Sequence, residues 1–191
     1  MRKYSKAKMF NRKAALRKSK PNEIIKALDI HSGQTIADIG SGGGFFTFLF
    51  SHQVGPKGTI YAVDTNQDFL EFINIQAKKQ GITNITTLLA TEHSIMLPEH
   101  SLDLLFVRSV YHHLQNRTTY FSEAKKLLRP QGRIAIIEYS QQGSKFSFHR
   151  RCGHNVPPEI IIEEMTNAGY TVSASFDFLA IQSFTIFIPT K

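Results

Sequence analysis

Short apolar runs alternate with longer amphipathic stretches from Thr35 onward, and this alternation constrains the fold more than any other feature of the chain. It is typical of strand–helix units in a mostly parallel sheet. The pattern predicts strands at Thr35–Ile39, Thr59–Val63, Ile85–Leu89, Leu102–Val107, Arg133–Glu138, Tyr170–Phe176 and Phe184–Ile188. It predicts helices at Pro21–Leu28, Phe45–Gln53, Asn66–Gln80, Arg117–Leu128 and Pro158–Ala168, and a turn at Arg129–Arg133.

The last two predicted strands are separated by too few residues for a crossover helix. They are therefore expected to pair as an antiparallel hairpin. The predicted fold class is a doubly wound α/β sheet with five parallel strands and a C-terminal antiparallel hairpin. A second dinucleotide-binding half would need further strand–helix–strand units, which the remaining sequence does not supply.

Composition favours one globular domain. The chain has 191 residues, of which 41% are hydrophobic and 20% charged, as expected for a single domain with a sizeable core. It has no apolar run of the roughly 20 residues that a membrane span requires and no apolar leader, so we expect a cytoplasmic protein. The single cysteine, Cys152, is expected to be a reduced thiol.

Positive charge is concentrated at the N-terminus. The formal net charge is +8, and residues 1–20 hold nine of the 23 Lys and Arg residues and no acidic residue. The rest of the chain has 14 basic residues against 15 acidic ones. We therefore divide the chain into a basic N-terminal arm, residues 1–20, and a domain, residues 21–191. The arm is expected to follow the phosphates of a nucleic acid, to bind an anionic membrane surface, or to be a solvated terminus without a partner.

A glycine-rich turn joins the first predicted strand to the next helix, in the run Ile36-Ala-Asp-Ile-Gly-Ser-Gly-Gly-Gly-Phe-Phe. Gly40, Gly42 and Gly44 remove side chains where the backbone must bend sharply, and the following helix offers unpaired N–H groups. This combination favours a nucleotide-like ligand. A glycine turn alone is also compatible with a tight connection that binds nothing.

Two acidic residues close the first two predicted strands. Asp38 ends a strand expected to be buried, where an ionised carboxylate needs a cation or several donors, such as a ligand ammonium group. Asp64 follows 20 residues after Gly44, where an acid can accept both hydroxyls of a ribose. The alternative for Asp64 is the N-cap of the next helix. The combination of strand, loop and acid favours the ribose.

The residue at the sixth position of the glycine loop distinguishes a dinucleotide-binding loop from other nucleotide-binding loops. Counted from Gly40, it is Phe45, where the dinucleotide fingerprint requires a small residue for close helix–strand packing. A pyrophosphate is therefore disfavoured, and a dinucleotide oxidoreductase stays open only because Asp64 alone is ambiguous. The G-x-x-x-x-G-K-[ST] loop of nucleotide hydrolases is absent.

Several segments resemble motifs of the class I S-adenosylmethionine-dependent methyltransferase family. Asp38-Ile-Gly-Ser-Gly-Gly-Gly is similar to the first motif and Tyr61-Ala-Val-Asp to the second. Thr91-Glu-His-Ser resembles the segment that meets the adenine, Leu102–Leu114 the fourth motif, and Leu128–Ile134 the turn before the fifth strand. The resemblance implies a Rossmann-like, seven-stranded fold and S-adenosyl-L-methionine as cofactor.

The same resemblance implies a set of cofactor-binding residues. The amino-acid end of the donor would meet Asp38 and the glycine loop, the ribose Asp64, and the adenine Glu92 and His93. The full implied set is Asp38, Gly40, Ser41, Gly42, Gly44, Asp64, Thr65, Asn66, Glu92, His93, Arg108 and Ser109, with the last two acting through their backbone. The chain departs from the family at Ala90-Thr-Glu, where Gly-Asp-Ala is common, and at Pro130-Gln-Gly, where Pro-Gly-Gly is.

Tyr111, His112 and His113 follow the fourth strand at the carboxyl edge of the sheet, where ligands of open α/β folds bind. We predict that one of them accepts a proton from the methyl acceptor or orients it, and a structural role is the alternative. No metal site is predicted, because adjacent histidines point in different directions. The basic stretch Lys145–His154 is expected to be either a lid over the pocket or a solvated loop.

The predicted function is methyl transfer to a small molecule. The first alternative is an RNA methyltransferase that uses residues 1–20 as an electrostatic arm, and the second is a non-catalytic module that binds the donor. The Asn/Asp-Pro-Pro-aromatic signature associated with methylation of amino groups on bases is absent after the fourth strand, which weakens the RNA alternative. The single thiol of Cys152 disfavours arsenic methylation by several cysteines.

Overall fold

The computed structural model describes residues 3–91, 97–140 and 155–190. The strands within these residues are β1 (Thr35–Ile39), β2 (Thr59–Asp64), β3 (Ile85–Leu89), β4 (Leu102–Arg108), β5 (Leu128–Tyr139), β6 (Tyr170–Phe176) and β7 (Gln182–Pro189). They form a seven-stranded sheet in the order β3-β2-β1-β4-β5-β7-β6. Strands β1 to β5 are parallel, and β7 pairs antiparallel with both β5 and β6. The predicted five parallel strands and antiparallel hairpin are confirmed.

The α-helices of the described residues are α1 (Ser5–Ala14), α2 (Pro21–Leu28), α3 (Phe45–Val54), α4 (Gln67–Gln80), α5 (Arg117–Ala124) and α6 (Pro158–Asn167). Short 3-10 turns lie at Arg17–Ser19, Tyr111–His113 and Lys125–Leu127. Helix α4 shows how local sequence sets helix bounds, because the Asn66 side chain accepts a hydrogen bond from the Asp68 N–H at 2.9 Å and caps the first turn. None of these helices is long and apolar enough to cross a membrane.

Apolar side chains cover both faces of the sheet, because successive residues of a strand point to opposite sides. On one face, Phe106 of β4 packs edge-on against Phe50 of α3, with ring centroids 5.0 Å apart. On the other face, Tyr111 stacks on Phe121 of α5 at 5.4 Å. The carboxyl ends of β1 to β5 all lie at one edge, and the strand order reverses between β1 and β4, which is where ligands bind in such sheets.

Two predicted bounds near β5 are wrong. The helix predicted to reach Leu128 ends at Ala124, and the strand begins at Leu128, not at Arg133. The pairing with β4 jumps from Leu102–Leu128 to Leu104–Arg133, so the predicted turn is a bulge inside the strand. Gly132 lies in this bulge, and a Cβ there would approach the Leu102 carbonyl oxygen to 2.7 Å.

Helix α1 is an element that the alternation of apolar runs did not predict. Most of its side chains are exposed, but Ala7 is fully buried. Tyr4, just before the helix, donates its hydroxyl to Glu71 of α4 at 2.8 Å. Part of the basic arm is therefore folded against the domain.

Candidate functional site

The glycine loop between β1 and α3 is held by hydrogen bonds from its own backbone. The N–H groups of Gly40 and Ser41 donate to the Val63 carbonyl at 2.8 and 3.1 Å. Gly40 has φ 69°, and a Cβ at this position would collide with the Val110 side chain. A side chain is therefore excluded at Gly40 by both backbone conformation and space. The loop lies at the carboxyl ends of β1, β2 and β4.

Asp64 connects the glycine loop to the loop after β2. One carboxylate oxygen accepts from the Gly42 N–H at 2.8 Å and the other from the Asn66 N–H at 2.9 Å. Burial raises the pKa of Asp64, and the backbone N–H groups around it lower it. The helix N-cap is Asn66 and not Asp64, so the capping alternative for Asp64 is wrong. A carboxylate has about four lone-pair sites, so Asp64 can still accept two hydroxyl groups.

Asp38 is an almost fully buried acid at the end of β1, with 4% of its surface exposed. Its side chain accepts a hydrogen bond from the Thr47 hydroxyl at 2.6 Å. Burial raises the pKa of Asp38 to about 7, against the lowering effect of Thr47. The nearby Ser41 hydroxyl is buried and has no hydrogen-bond partner among the described residues. Both groups suit a polar ligand with an ammonium group, since such a ligand would supply a cation and hydrogen-bond partners.

Helix α1 covers the outer side of the glycine loop. The Asn11 side-chain amide donates to the Gly43 carbonyl at 2.7 Å. The Phe10 ring lies beside Gly42 and meets Phe69 of α4 edge-on, with centroids 5.7 Å apart. A Cβ at Gly43 would collide with the Ala7 carbonyl, so this glycine permits the close approach of the helix. Sequence reasoning missed these contacts, because no motif marks Asn11.

His112 is held by a buried acid at the end of β5. Its ring Nδ1 lies 3.0 Å from a carboxylate oxygen of Glu138, and its backbone N–H donates to the same oxygen at 3.3 Å. Glu138 is fully buried, and its second oxygen accepts from the Tyr139 N–H at 2.7 Å. Sequence reasoning did not identify Glu138, although the signal was present: like Asp38 and Asp64, it closes a buried strand.

Tyr111 lies in the core below this edge. Its hydroxyl donates to Glu164 of α6 at 2.7 Å, and Arg117 donates to both oxygens of the same carboxylate at 2.7 and 2.6 Å. Burial raises the pKa of the Tyr111 phenol above its ordinary value. These contacts favour the structural alternative for Tyr111, and its contact with an acceptor stays a prediction.

Arg108 and Ser109 follow β4 and meet the start of β7. The Arg108 guanidinium carbon lies 4.9 Å from the centroid of the Phe46 ring, and a terminal nitrogen donates to the Gln182 side-chain oxygen at 3.3 Å. The Gln182 amide in turn donates to the Ser109 hydroxyl at 2.9 Å. Gln182 was not identified from the sequence, because only the pairing of β7 with β5 brings it to this edge.

The structure brings most of the predicted site residues to one edge of the sheet. Asp38, the glycine loop, Asp64 and Arg108 all lie at the carboxyl ends of neighbouring strands. Thr65 and Asn66 follow Asp64 and are exposed. Glu92 and His93, predicted to edge the adenine, lie outside the described residues, as do Cys152 and the predicted lid Lys145–His154.

A family model described as a methyltransferase domain matches residues 30–176. The chain belongs to this family. The match spans the glycine loop, both acids and the segment after β4, so the predicted resemblance to class I S-adenosylmethionine-dependent methyltransferases is confirmed. The strand order of this methyltransferase domain is likewise the order of that fold class.

Curated relatives of this methyltransferase domain are longer proteins. An arsenite methyltransferase from Halobacterium salinarum is 28% identical over 109 residues, which cover 57% of this chain and 28% of that protein. A ubiquinone/menaquinone biosynthesis C-methyltransferase from Hahella chejuensis is 27% identical over 113 residues, 59% of this chain and 45% of that protein. The chain thus spans less than half the length of these two relatives.

Solved structures share the fold. A SAM-dependent methyltransferase from Aquifex aeolicus superposes with a TM-score of 0.78 at 22% identity, covering 88% of this chain and 89% of that one. The 1,6-didemethyltoxoflavin-N1-methyltransferase of Burkholderia thailandensis, solved with 1,6-didemethyltoxoflavin and S-adenosylhomocysteine, superposes with a TM-score of 0.68 at 18% identity, covering 88% and 76%. At these identities the likeness concerns the fold of the methyltransferase domain.

Proposed function

We propose that this methyltransferase domain transfers the methyl group of S-adenosylmethionine to a small-molecule acceptor. The observation that carries the proposal is the link from the Gly42 N–H to the Asp64 carboxylate, which joins a loop without side chains to the acid that closes β2. This arrangement suits an adenosine ribose on Asp64 and an amino-acid end against the loop. The relatives named for arsenite, for ubiquinone and menaquinone, and for 1,6-didemethyltoxoflavin support a small acceptor.

The donor supplies an activated methyl group when bound, so the protein has mainly to orient two molecules and exclude water. In this proposal Asp38 meets the donor ammonium group, and Gly40, Ser41, Gly42 and Gly44 form the wall beside its amino-acid end. Asp64 accepts the ribose hydroxyls, Thr65 and Asn66 lie beside the ribose, and Glu92 and His93 edge the adenine. The backbone of Arg108 and Ser109 completes the amino-acid end of the pocket.

The acceptor side of the proposal rests on the pair formed by His112 and Glu138. An ionised carboxylate only accepts hydrogen bonds, so Glu138 favours the tautomer of His112 that carries its proton on Nδ1. The lone pair of the neutral ring is then on Nε2, which can accept a proton from the acceptor or orient it. Glu138 acts on the acceptor through His112 and is a positioning residue.

Calorimetry and a transfer assay test the proposed function together. The protein should bind S-adenosylhomocysteine more tightly than NAD, and incubation with methyl-labelled donor and a cell extract should label a small molecule. Preferential binding of NAD would overturn the assignment in favour of a dinucleotide oxidoreductase. Donor binding without any labelled product would identify the protein as a non-catalytic module. Label found in RNA would favour the RNA alternative.

A further inference from the structure

Arg108 is held in place by its neighbours but forms no salt bridge with an acidic residue in the described part of the chain. One face stacks on the Phe46 ring and one terminal nitrogen donates to the neutral Gln182 amide. Its Nε is buried and has no hydrogen-bond partner in the described part of the chain. Burial also lowers the pKa of Arg108, whereas the electrostatic influence of Tyr139 and Asp38 raises it. An arginine held in this way has directed donors that the described residues do not fill.

One face of the guanidinium lies on Phe46, at the start of α3 beside the glycine loop, and a terminal nitrogen reaches toward β7. Asp38 and Asp64 close β1 and β2, whereas Arg108 starts from β4 and contacts Gln182 at the start of β7. Because β5 lies between β4 and β7 in the sheet, this contact directs a terminal nitrogen of Arg108 away from β1 and β2, whose ends carry Asp38 and Asp64. Glu138, which holds the proposed acceptor residue His112, is part of the same strand β5.

Among the described residues, the acid that influences Arg108 from the donor side is Asp38. In the proposed complex that carboxylate faces the donor ammonium group, so it compensates the positive charge of the Arg108 guanidinium only in part. A partly buried cation is stabilised when an anion enters beside it, because the anion replaces the lost hydration. The planar guanidinium matches a carboxylate, which it can bind through two parallel hydrogen bonds.

We propose that Arg108 binds a carboxylate group of the methyl acceptor, with Gln182 and Ser109 as polar neighbours of the bound group. The inference rests on the proposed methyl transfer and specifies its substrate class: small carboxylic acids. The donor also carries a carboxylate, so the test must separate the two sources of this anion.

Pairs of acids and their amides provide the probes. The protein saturated with S-adenosylhomocysteine should bind at least one of benzoate, phenylacetate and hexanoate about tenfold more tightly than benzamide, phenylacetamide or hexanamide, respectively. Arg108→Met should abolish this preference, and S-adenosylhomocysteine should still bind and saturate the variant, because the backbone of residue 108, which is the part proposed to meet the donor, is retained. Gln182→Glu should also abolish it, because the new carboxylate would pair with Arg108.

Arg133→Met is the matched control. Arg133 is another partly buried arginine, but it donates to the carbonyls of Leu28 and Asp29, far from the acceptor side, and its loss should leave the acid preference intact. Equal affinity for all acids and amides would overturn the proposal. A tenfold loss of S-adenosylhomocysteine affinity in Arg108→Met with an intact acid preference would assign the guanidinium to the donor carboxylate, and would also overturn it. An acid preference without methyl transfer would count against the proposed function alone.

Discussion

Buried carboxylates close β1, β2 and β5, and their existing partners determine what each can still bind. Asp64 accepts from two backbone N–H groups and Asp38 from one hydroxyl. Glu138 accepts from the His112 ring and two N–H groups. Asp38 and Asp64 therefore keep acceptor capacity for a ligand, whereas Glu138 is occupied within the protein.

Asp64→Ala should weaken S-adenosylhomocysteine binding at least about tenfold, which corresponds to about 1.4 kcal/mol. The substitution removes the proposed ribose acceptor and also the anchor of the Gly42 N–H. Isothermal calorimetry measures the affinity. Asp103→Asn is the control, because Asp103 pairs with Arg129 and the Thr35 N–H at the opposite edge of the sheet. Unchanged affinity in Asp64→Ala would contradict the ribose assignment.

The stability of the ligand-free protein should depend on pH in a way that reflects the protonation of Asp38. Burial raises its pKa from 3.8 to about 7, so between these pH values the folded protein retains a proton that the unfolded chain releases. The contribution of Asp38 to the free energy of unfolding is therefore largest below about pH 4 and falls as the pH rises to about 7. Urea unfolding at a series of pH values should show that Asp38→Asn removes this fall.

Donor binding should depend on Asp38 in the opposite direction. An ammonium group requires the ionised carboxylate, so the affinity for S-adenosylhomocysteine should rise as the pH passes through about 7 and then level off. The Asp38→Asn variant should show a flatter pH profile. If both proteins give the same profile, Asp38 does not face the ligand cation.

With an identified methyl acceptor as substrate, Glu138→Gln should lower turnover about 10- to 100-fold. The amide has nearly the same shape but no longer fixes the tautomer of His112. S-adenosylhomocysteine affinity should stay within about twofold, because Glu138 is not among the residues proposed to contact the donor. A variant that lost donor affinity and turnover together would indicate a merely structural role. His112→Gln should lower turnover to a similar extent.

Residues within one sequence motif were predictable, whereas the contacts formed between distant strands were not. Asp38, Gly40 and Asp64 follow from the order of strand, loop and acid within one strand–helix–strand unit. Glu138 and Gln182 reach the site only through the pairing of β5 with β4 and β7. A single sequence does not specify which strand ends become neighbours, so their contacts with His112 and Arg108 required the structure.

Helix α1 is the element that most changes the interpretation of the N-terminal arm. Its Asn11 amide and Phe10 ring contact the glycine loop, and Lys3 before the helix forms an ion pair with Glu71 at 2.6 Å. These contacts depend on residues elsewhere in the chain, so no apolar periodicity within the sequence of α1 predicted them. The arm therefore contributes to the packing around the glycine loop as well as to the net charge.

Asn11→Ala should weaken S-adenosylhomocysteine binding by about threefold to tenfold, because the Gly43 carbonyl loses its only side-chain donor among the described residues and the loop becomes less ordered. Hydrogen exchange of the loop N–H groups should become faster in the same variant. Arg12→Ala is the control, since Arg12 is exposed on the same helix. Equal affinity in wild type and Asn11→Ala would show that the helix does not order the loop.

The uneven charge of the whole molecule predicts how an RNA ligand would behave. Residues 1–20 carry nine basic residues, and the rest of the chain is close to neutral. If RNA binds, its affinity should fall steeply between about 50 and 300 mM salt and largely vanish when residues 1–20 are deleted. S-adenosylhomocysteine affinity should be nearly constant over the same salt range, which calorimetry can test. RNA affinity that survives the deletion would count against a role of the arm in RNA binding.

Strand β7 occupies an interior place in the sheet, between β5 and β6. During synthesis, β6 emerges from the ribosome first and cannot dock on β5 directly. Until Gln182–Pro189 has emerged, β5 is an edge strand with a row of unpaired backbone N–H and C=O groups. Such an edge can pair with strands of other chains. A nascent chain whose glycine loop is already complete can therefore still aggregate through β5. Cotranslational protection is needed longest at the C-terminal side of the sheet.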